Sequence, residues 1–381
     1  MLVRSRVLRA LDERRDAFRQ SAERAESIAI RYRAAFSRLA DLDREEIEAR
    51  LEGEDWPGAR PLEPLDDGPI RRFGRTFPHA EAARAWALER IRGVTTLAVD
   101  GSQIPASREF AVPVSLVQVA WFENPHDPDG RYVKDVRDEI LTTDGDEVDA
   151  YVDGRVGQRR FGMEMAATVD RIPSLPVDPP SVVFIDGSLV LSFVTRFIPP
   201  AREAYLAALR QMLAASRGAG IPVTGYVDRS YARDLVRMTR LLFDLPDGPV
   251  IDSAMLHALG PLDRTIAFEC ARGDVLPLYG EEWSRGLAFV YLATGVDTPP
   301  ARLDIPRWVV EKGLLDHVVD VARAEIIAGP GYPYALEAAD SAAVLTNRDR
   351  IAFFELFRAY TEENGLMGGM PRKAASKAQR R

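Results

Sequence analysis

The chain has 381 residues, 46% of them hydrophobic, and a formal net charge of −8, which describes a globular protein large enough for two domains or for one with an appendage. The acidic balance excludes a protein that coats nucleic acid with its whole surface, though not a local basic track. One cysteine, Cys270, excludes an internal disulfide or a multi-cysteine zinc site and fits a cytoplasmic location, and no apolar run reaches the length of a membrane span.

The first residues, MLVRSRVLRALDERRDAF, carry no apolar segment of the signal-peptide kind. Residues 5 to about 52 lack proline and are rich in Arg, Glu, Ala and Leu, predicting one long charged helix or two. Leu8, Leu11, Phe18, Ala22, Ile28, Tyr32, Phe36 and Leu39 recur mostly at helical steps. They form a narrow apolar stripe suited either to the protein's own body or to a docking or dimerisation partner. Residues 53 to 78, proline-rich and containing DDGP, read as a surface linker, and 79 to 92 as a short helix. TTLAVDG, FAVPVSLVQVAWF and RYVKDVRDEILTT then predict three consecutive antiparallel strands. A helix over 155–171, the strand SVVFIDG, a helix over 200–217, the strand IPVTGYV and a helix over 230–242 follow. The chain closes with helices over 335–345 and 348–363. This order predicts an α/β fold, a ribonuclease H-like mixed sheet flanked by helices with an N-terminal helical arm. The expected domains are an arm and linker over 1–92, a ribonuclease H-like α/β domain over 93–364 and a basic disordered tail over 365–381.

Asp-Gly occurs seven times, beginning at Asp67, Asp100, Asp129, Asp144, Asp153, Asp186 and Asp247. Five lie in polar or proline-rich surroundings, where a turn is explanation enough. Asp100 and Asp186 differ: each ends an apolar strand-like run and is followed by Gly-Ser, which suits a carboxylate at a strand end. The four histidines, His79, His126, His257 and His317, show no metal-ligand spacing, so metal ligands here would be carboxylates, suiting magnesium or manganese. Glu164, set among Met163, Met165, Ala166 and Ala167, is either a third acid of such a site or the partner of Arg160 one helical turn away. Glu139 and Glu147 are weaker candidates. Asp340 falls in register with Leu336 and Val344 on a helix, either completing the acids or serving as a helix-surface residue or cap. Arg229, Arg233, Arg237 and Arg240 recur at steps of four, four and three, which would place them on one helix face as a phosphate track or as an ion-paired face.

Competing chemistries find less support. A haloacid-dehalogenase-type nucleophile is absent, because Ala98 and Phe184 stand two residues before the aspartates. No P-loop, GxGxxG or GxSxG surrounds the apolar strands.

The segments LAVDGS, RRFGMEMAA, VVFIDGSL, GYVDRS and YPYALEAAD, spread over residues 95 to 360, resemble the NurA nucleases. The resemblance implies a ribonuclease H-like core and a manganese-dependent DNA nuclease, magnesium being possible, with 5′–3′ exonuclease and single-strand endonuclease activity in DNA end resection and break repair. It also implies a homodimer partnered by the HerA hexameric ATPase. Asp100, Asp186 and Glu164 match the family's acids. Asp340 stands where the family commonly has histidine, and Arg229 lies nearest a common lysine. The alternatives are a non-catalytic DNA-end-binding adaptor of the motor, or a metal phosphohydrolase for small nucleotides.

Overall fold

The computed structural model describes residues 2–107, 110, 113–127, 129–142, 152–296 and 298–366. The expected basic tail and Glu147 lie largely or wholly outside them. The chain forms two compact units, one of Met1–Thr76 with Val227–Lys312, the other of Phe77–Tyr226 with Gly313–Arg381. The segment 1–92 is therefore shared between the two.

The proline-free start forms α1 (Arg4–Asp12), α2 (Arg15–Ser37) and α3 (Arg44–Arg50). Its apolar stripe divides in two. Leu8, Leu11 and Phe18 are exposed, whereas Tyr32, Phe36 and Leu39 are buried in the first unit. The proline-rich stretch is more than a linker, for it contributes β1 (Gly58–Pro61) and β2 (Ile70–Arg71). Proline is tolerated at Pro61 because it ends a strand at the sheet edge.

In the second unit α4 (Ala80–Ile91) leads into β3 (Thr96–Ile104), β4 (Val114–Asn124) and β5 (Val133–Thr142), an antiparallel meander. Next come α5 (Val152–Arg171), β6 (Val182–Asp186), α6 (Pro199–Ala219) and β7 (Val223–Val227). β6 runs parallel to β3, and β7 parallel to β6, giving the order β5-β4-β3-β6-β7. This is the ribonuclease H-like mixed sheet expected from the element order. β6 is fully buried up to its last residue, as a strand covered on both faces must be.

The first unit resumes with α7 (Asp234–Phe243), α8 (Asp252–Met255), β8 (Arg264–Thr265), β9 (Phe268–Ala271), β10 (Leu287–Leu292), β11 (Ala301–Pro306) and α9 (Arg307–Glu311). Its strands pair antiparallel in the order β1-β9-β10-β11, with β2 and β8 alongside. These strands had no counterpart in the sequence reading. All six positions of β11 are buried although two are charged. Arg302 donates to Asp304 at 2.7 Å and to Asp234 at 2.6 Å, and its guanidinium lies over the Phe289 ring at 3.9 Å. Buried Asp252 accepts from the Asp234 and Val236 amides and from the Tyr291 hydroxyl, tying the start of α7 to the sheet.

The second unit closes with α10 (Leu315–Ala328), α11 (Tyr334–Ala343) and α12 (Asn347–Glu363). Thr346 and Asp349 form a reciprocal capping box at the start of α12. Among the described residues no helix is long and apolar enough to cross a membrane.

The Arg302 network yields a stability prediction. Arg302→Met leaves Asp234 and Asp304 buried without their cation, so denaturant titration should show a loss of about 3–5 kcal/mol. A variant as stable as the parent would show that the network contributes nothing net.

Candidate functional site

The parallel ladder between β3 and β6 runs from Thr96↔Val182 to Val99↔Ile185. It stops one residue short of both aspartates, so Asp100 and Asp186 stand level: Asp186 ends β6, whereas β3 continues past Asp100 to Ile104 with β4 as its partner. Where parallel pairing stops, such sheets leave an open crevice. Asp100 is half-buried and Asp186 exposed. Burial pushes the Asp100 carboxyl up to about 6, the charges of Asp340 and Asp186 adding to the effect while the Gly101 amide opposes it. The Tyr332 hydroxyl donates to Asp186 Oδ1 at 3.0 Å, and the Tyr332 ring meets Tyr226 edge-on at 5.0 Å.

The two glycines of the repeated tripeptide serve different ends. Gly187 has φ +113°, a backbone conformation that residues with a Cβ rarely adopt. Gly101 has ordinary strand geometry, but a Cβ there would collide with the Glu164 carboxylate and the Arg160 side chain. Its absence admits Glu164 from α5 to the strand end.

Glu164 is 16% exposed, and its Oε1 lies 3.6 Å from Arg160 Nε. Burial raises its pKa to about 7. Arg160 opposes the shift, and the charges of Asp100 and Asp186 reinforce it. Both sequence readings of Glu164 therefore describe the same side chain, since it pairs with Arg160 and also borders the acids. Arg160 in turn donates from Nη1 to the Gly101 carbonyl at 3.0 Å.

Asp340 lies on α11. Leu336 is buried, but Asp340 and Val344 are exposed, so the expected apolar stripe does not continue through it. The charge of Asp340 nevertheless adds to the upward shift of the Asp100 pKa. The sequence reading missed Tyr332; the only available signal was the aromatic-rich GYPYAL preceding the helix. Glu139 is held by Arg159 through two hydrogen bonds of 2.6 and 2.5 Å, a solvated pair as expected.

The arginines belong to the other unit and are not on one helix face. Pairing of Asp252 with the amides of Asp234 and Val236 starts α7 at residue 234, so only Arg237 and Arg240 lie on it. Arg233 donates to Asp247 at 2.7 Å and holds that carboxyl below its ordinary range. Arg240 lies 3.6 Å from Asp247. Arg237 donates to the Trp56 carbonyl and stacks over the Trp56 ring at 4.6 Å. Arg229 is 82% exposed, with its Nε 3.9 Å from Asp228.

Among the described residues no three His, Cys, Asp or Glu side chains close into a ready-made metal cage. The donor chemistry nevertheless fits a hard divalent cation. Carboxylates from β3, β6 and α5 lie near enough to feel one another's charge, and the pKa values of Asp100 and Glu164 are raised chiefly by burial, with the neighbouring acids adding to it.

Two predictions follow from this geometry. In metal-free protein, Asp100 and Glu164 hold protons in the fold at pH values where the unfolded chain has released them. Stability should therefore fall as pH rises from about 4 to about 7, and Glu164→Gln should remove on the order of 2 kcal/mol of that fall; pH-dependent urea titrations showing equal slopes would contradict it. Gly101→Ala should cost about 1–3 kcal/mol by overpacking, and much of this should be relieved in Gly101→Ala/Glu164→Ala. Additive losses in the double variant would show that the collision lies elsewhere.

The NurA domain family matches residues 94–345. No curated protein matches the chain in sequence. Similar solved structures include a NurA with manganese, at TM-score 0.43 and 10% identity, covering 70% of this chain and 89% of that one. A NurA bound to dAMP and manganese has TM-score 0.42 and 11% identity, covering 86% and 94%. The catalytic domain of human endonuclease V has TM-score 0.32 and 13% identity, covering 74% and 89%. With the family match spanning well over half its length, and both Asp-Gly-Ser strands inside it, the chain belongs to the NurA family.

Proposed function

We propose that this chain is a divalent-metal-dependent DNA nuclease, manganese being the favoured ion and magnesium the alternative. In this reading it is a 5′–3′ exonuclease and single-strand endonuclease, acts as a homodimer with a HerA-type ATPase, and serves DNA end resection and double-strand break repair. The observation that carries the reading is the coupling of Asp100 to Asp186 and Asp340, and of Glu164 to Asp100 and Asp186. A site that gathers acids at a crevice repels a phosphodiester unless cations intervene.

Asp100 and Asp186 would hold the ion, with Glu164 and Asp340 completing its surroundings. When bound, such a cation supplies an activated water and neutralises charge on the phosphate. The remaining work belongs to the protein. Tyr332 orients the Asp186 carboxylate through its hydroxyl. Arg160 fixes the Gly101 carbonyl and offsets Glu164. Glu164, with its pKa raised to about 7, can hold or release a proton near neutral pH. Arg229 is the arginine retained for a phosphate contact, and the exposed Leu8, Leu11 and Phe18 are retained for partner docking.

The test is cleavage of end-labelled single- and double-stranded DNA with manganese, with and without a HerA-type partner. Asp100→Ala and Asp186→Ala should each lower the rate on the order of a thousandfold or more with folding intact. Equal cleavage by Asp100→Ala would sink the site assignment. A parent protein that binds DNA ends without cutting them under either condition would favour the adaptor reading, which the aspartate at position 340 in place of the family's usual histidine keeps in view.

A further inference from the structure

The acid that departs from the family pattern, Asp340, rides on a helix whose packing surface beyond Tyr334 and Leu336 is made of alanines. α11 buries Ala335, Leu336, Ala339 and Ala343, and three of these four present only a methyl group. Such a stripe allows close approach to the sheet but gives little resistance to sliding, because shape complementarity comes from interdigitating side chains. Its N-cap is Pro333, which provides no capping side chain. The amides of the first turn therefore need an acceptor from elsewhere.

That acceptor is Glu325 of α10, which is 1% exposed and lies outside the acidic cluster. Its Oε2 accepts from the Ala335 amide at 2.8 Å, a favourable place for a carboxylate at a helix N-terminus. Its Oε1 accepts from Thr96 Oγ1 at 2.9 Å, and His126 Nε2 lies 3.3 Å away. The other ring nitrogen of His126 is 2.7 Å from the Val94 carbonyl, to which it donates. The opposite end of α11 is held separately, by the Leu345 amide donating to Ser102 Oγ at 3.3 Å. Thr96, Asp100 and Ser102 alternate onto one face of β3, so the two anchors bracket Asp100. The corresponding serine of the second tripeptide does something else, since Ser188 Oγ accepts the Val190 amide within its own turn at 2.9 Å.

We infer that Glu325 and Ser102 are positioning residues: by fixing both ends of α11 to β3 they set the placement of Asp340 opposite Asp100, and with it the cation affinity of the site. Hydrogen bonds are directional where an alanine surface is not, so these two polar contacts, together with the edge-on contact of Tyr334 with Phe122 at 5.7 Å, hold the register of the helix. This inference rests on the metal-dependent nuclease reading.

The experiment compares parent, Glu325→Gln, Ser102→Ala and Ser102→Thr proteins. It reads manganese affinity of the metal-free protein by electron paramagnetic resonance titration, amide hydrogen exchange at Ala335 and Leu345, thermal midpoint, and kcat and KM on a single-stranded oligonucleotide. Gln at 325 keeps one acceptor oxygen and loses the other. Faster exchange at Ala335 and manganese affinity weaker by roughly tenfold or more are expected, with kcat lowered and KM for DNA little changed. Ser102→Ala should free the Leu345 amide with the same effect on manganese, and Ser102→Thr, which keeps the hydroxyl, should restore both. If Glu325→Gln fails to fold, Ser102→Ala and its threonine rescue decide the matter, because they leave the buried carboxylate intact. Variants that melt earlier yet bind manganese and turn over like the parent would overturn the inference. A parent that binds manganese but cleaves nothing would overturn the nuclease reading alone, the affinity comparison standing by itself; a parent that binds no manganese would overturn both.

Discussion

The burial of carboxylates where the parallel pairing of β3 and β6 stops is the constraint on which the second unit depends. β3 and β6 pair in a register that brings Asp100 and Asp186 level, and α5 and α11 add Glu164 and Asp340. Burying these carboxylates costs free energy, to which the charge of the neighbouring acids adds, and the cost appears in the raised pKa values of Asp100 and Glu164. A fold that only needed to be stable would gain by replacing them, which makes this place the candidate site.

The surrounding residues make that concentration of charge tolerable. Arg160 is the near cation for Glu164, Tyr332 occupies one oxygen of Asp186, and Gly101 leaves the room that lets a helix carboxylate reach the strand end. The doubled Asp-Gly-Ser is therefore not one device used twice. Its first glycine provides space and its second a left-handed backbone; its first serine reaches a distant helix and its second closes a local turn.

The first unit encloses its buried charge. Arg302 pairs with both Asp234 and Asp304 beside the Phe289 ring, and Arg272 lies 3.9 Å from Asp234. Asp252, its pKa raised to about 7 by burial and the Asp234 charge, is held by two amides and a tyrosine hydroxyl. There the carboxylates are fully buried among protein groups. Asp100 stays half-buried and Asp186 exposed, and this difference separates a structural network from a candidate binding site.

Local patterns made much of the second unit legible before any contact was known. Alternation and apolar runs identified β3 to β7, proline-free amphipathic stretches identified the helices, and the contrast between Asp100 or Asp186 and the five polar Asp-Gly turns singled out the site. The same local signals misjudged the proline-rich stretch before residue 76, where β1 and β2 take their partners about two hundred residues away. They also misjudged the arginine stripe, because the start of α7 is set by Asp252, eighteen residues beyond Asp234. Exposure of Asp340, the hydrogen bond from Tyr332 and the bridging by Glu325 were invisible for the same reason. By itself the sequence determined which segments could be strands or helices and which two aspartates follow apolar strand runs, though only Asp186 ends its strand, since periodicity and turn chemistry act over a few residues. Only the tertiary structure decided the strand register and the partners of each carboxylate, since those depend on contacts between residues far apart in the chain.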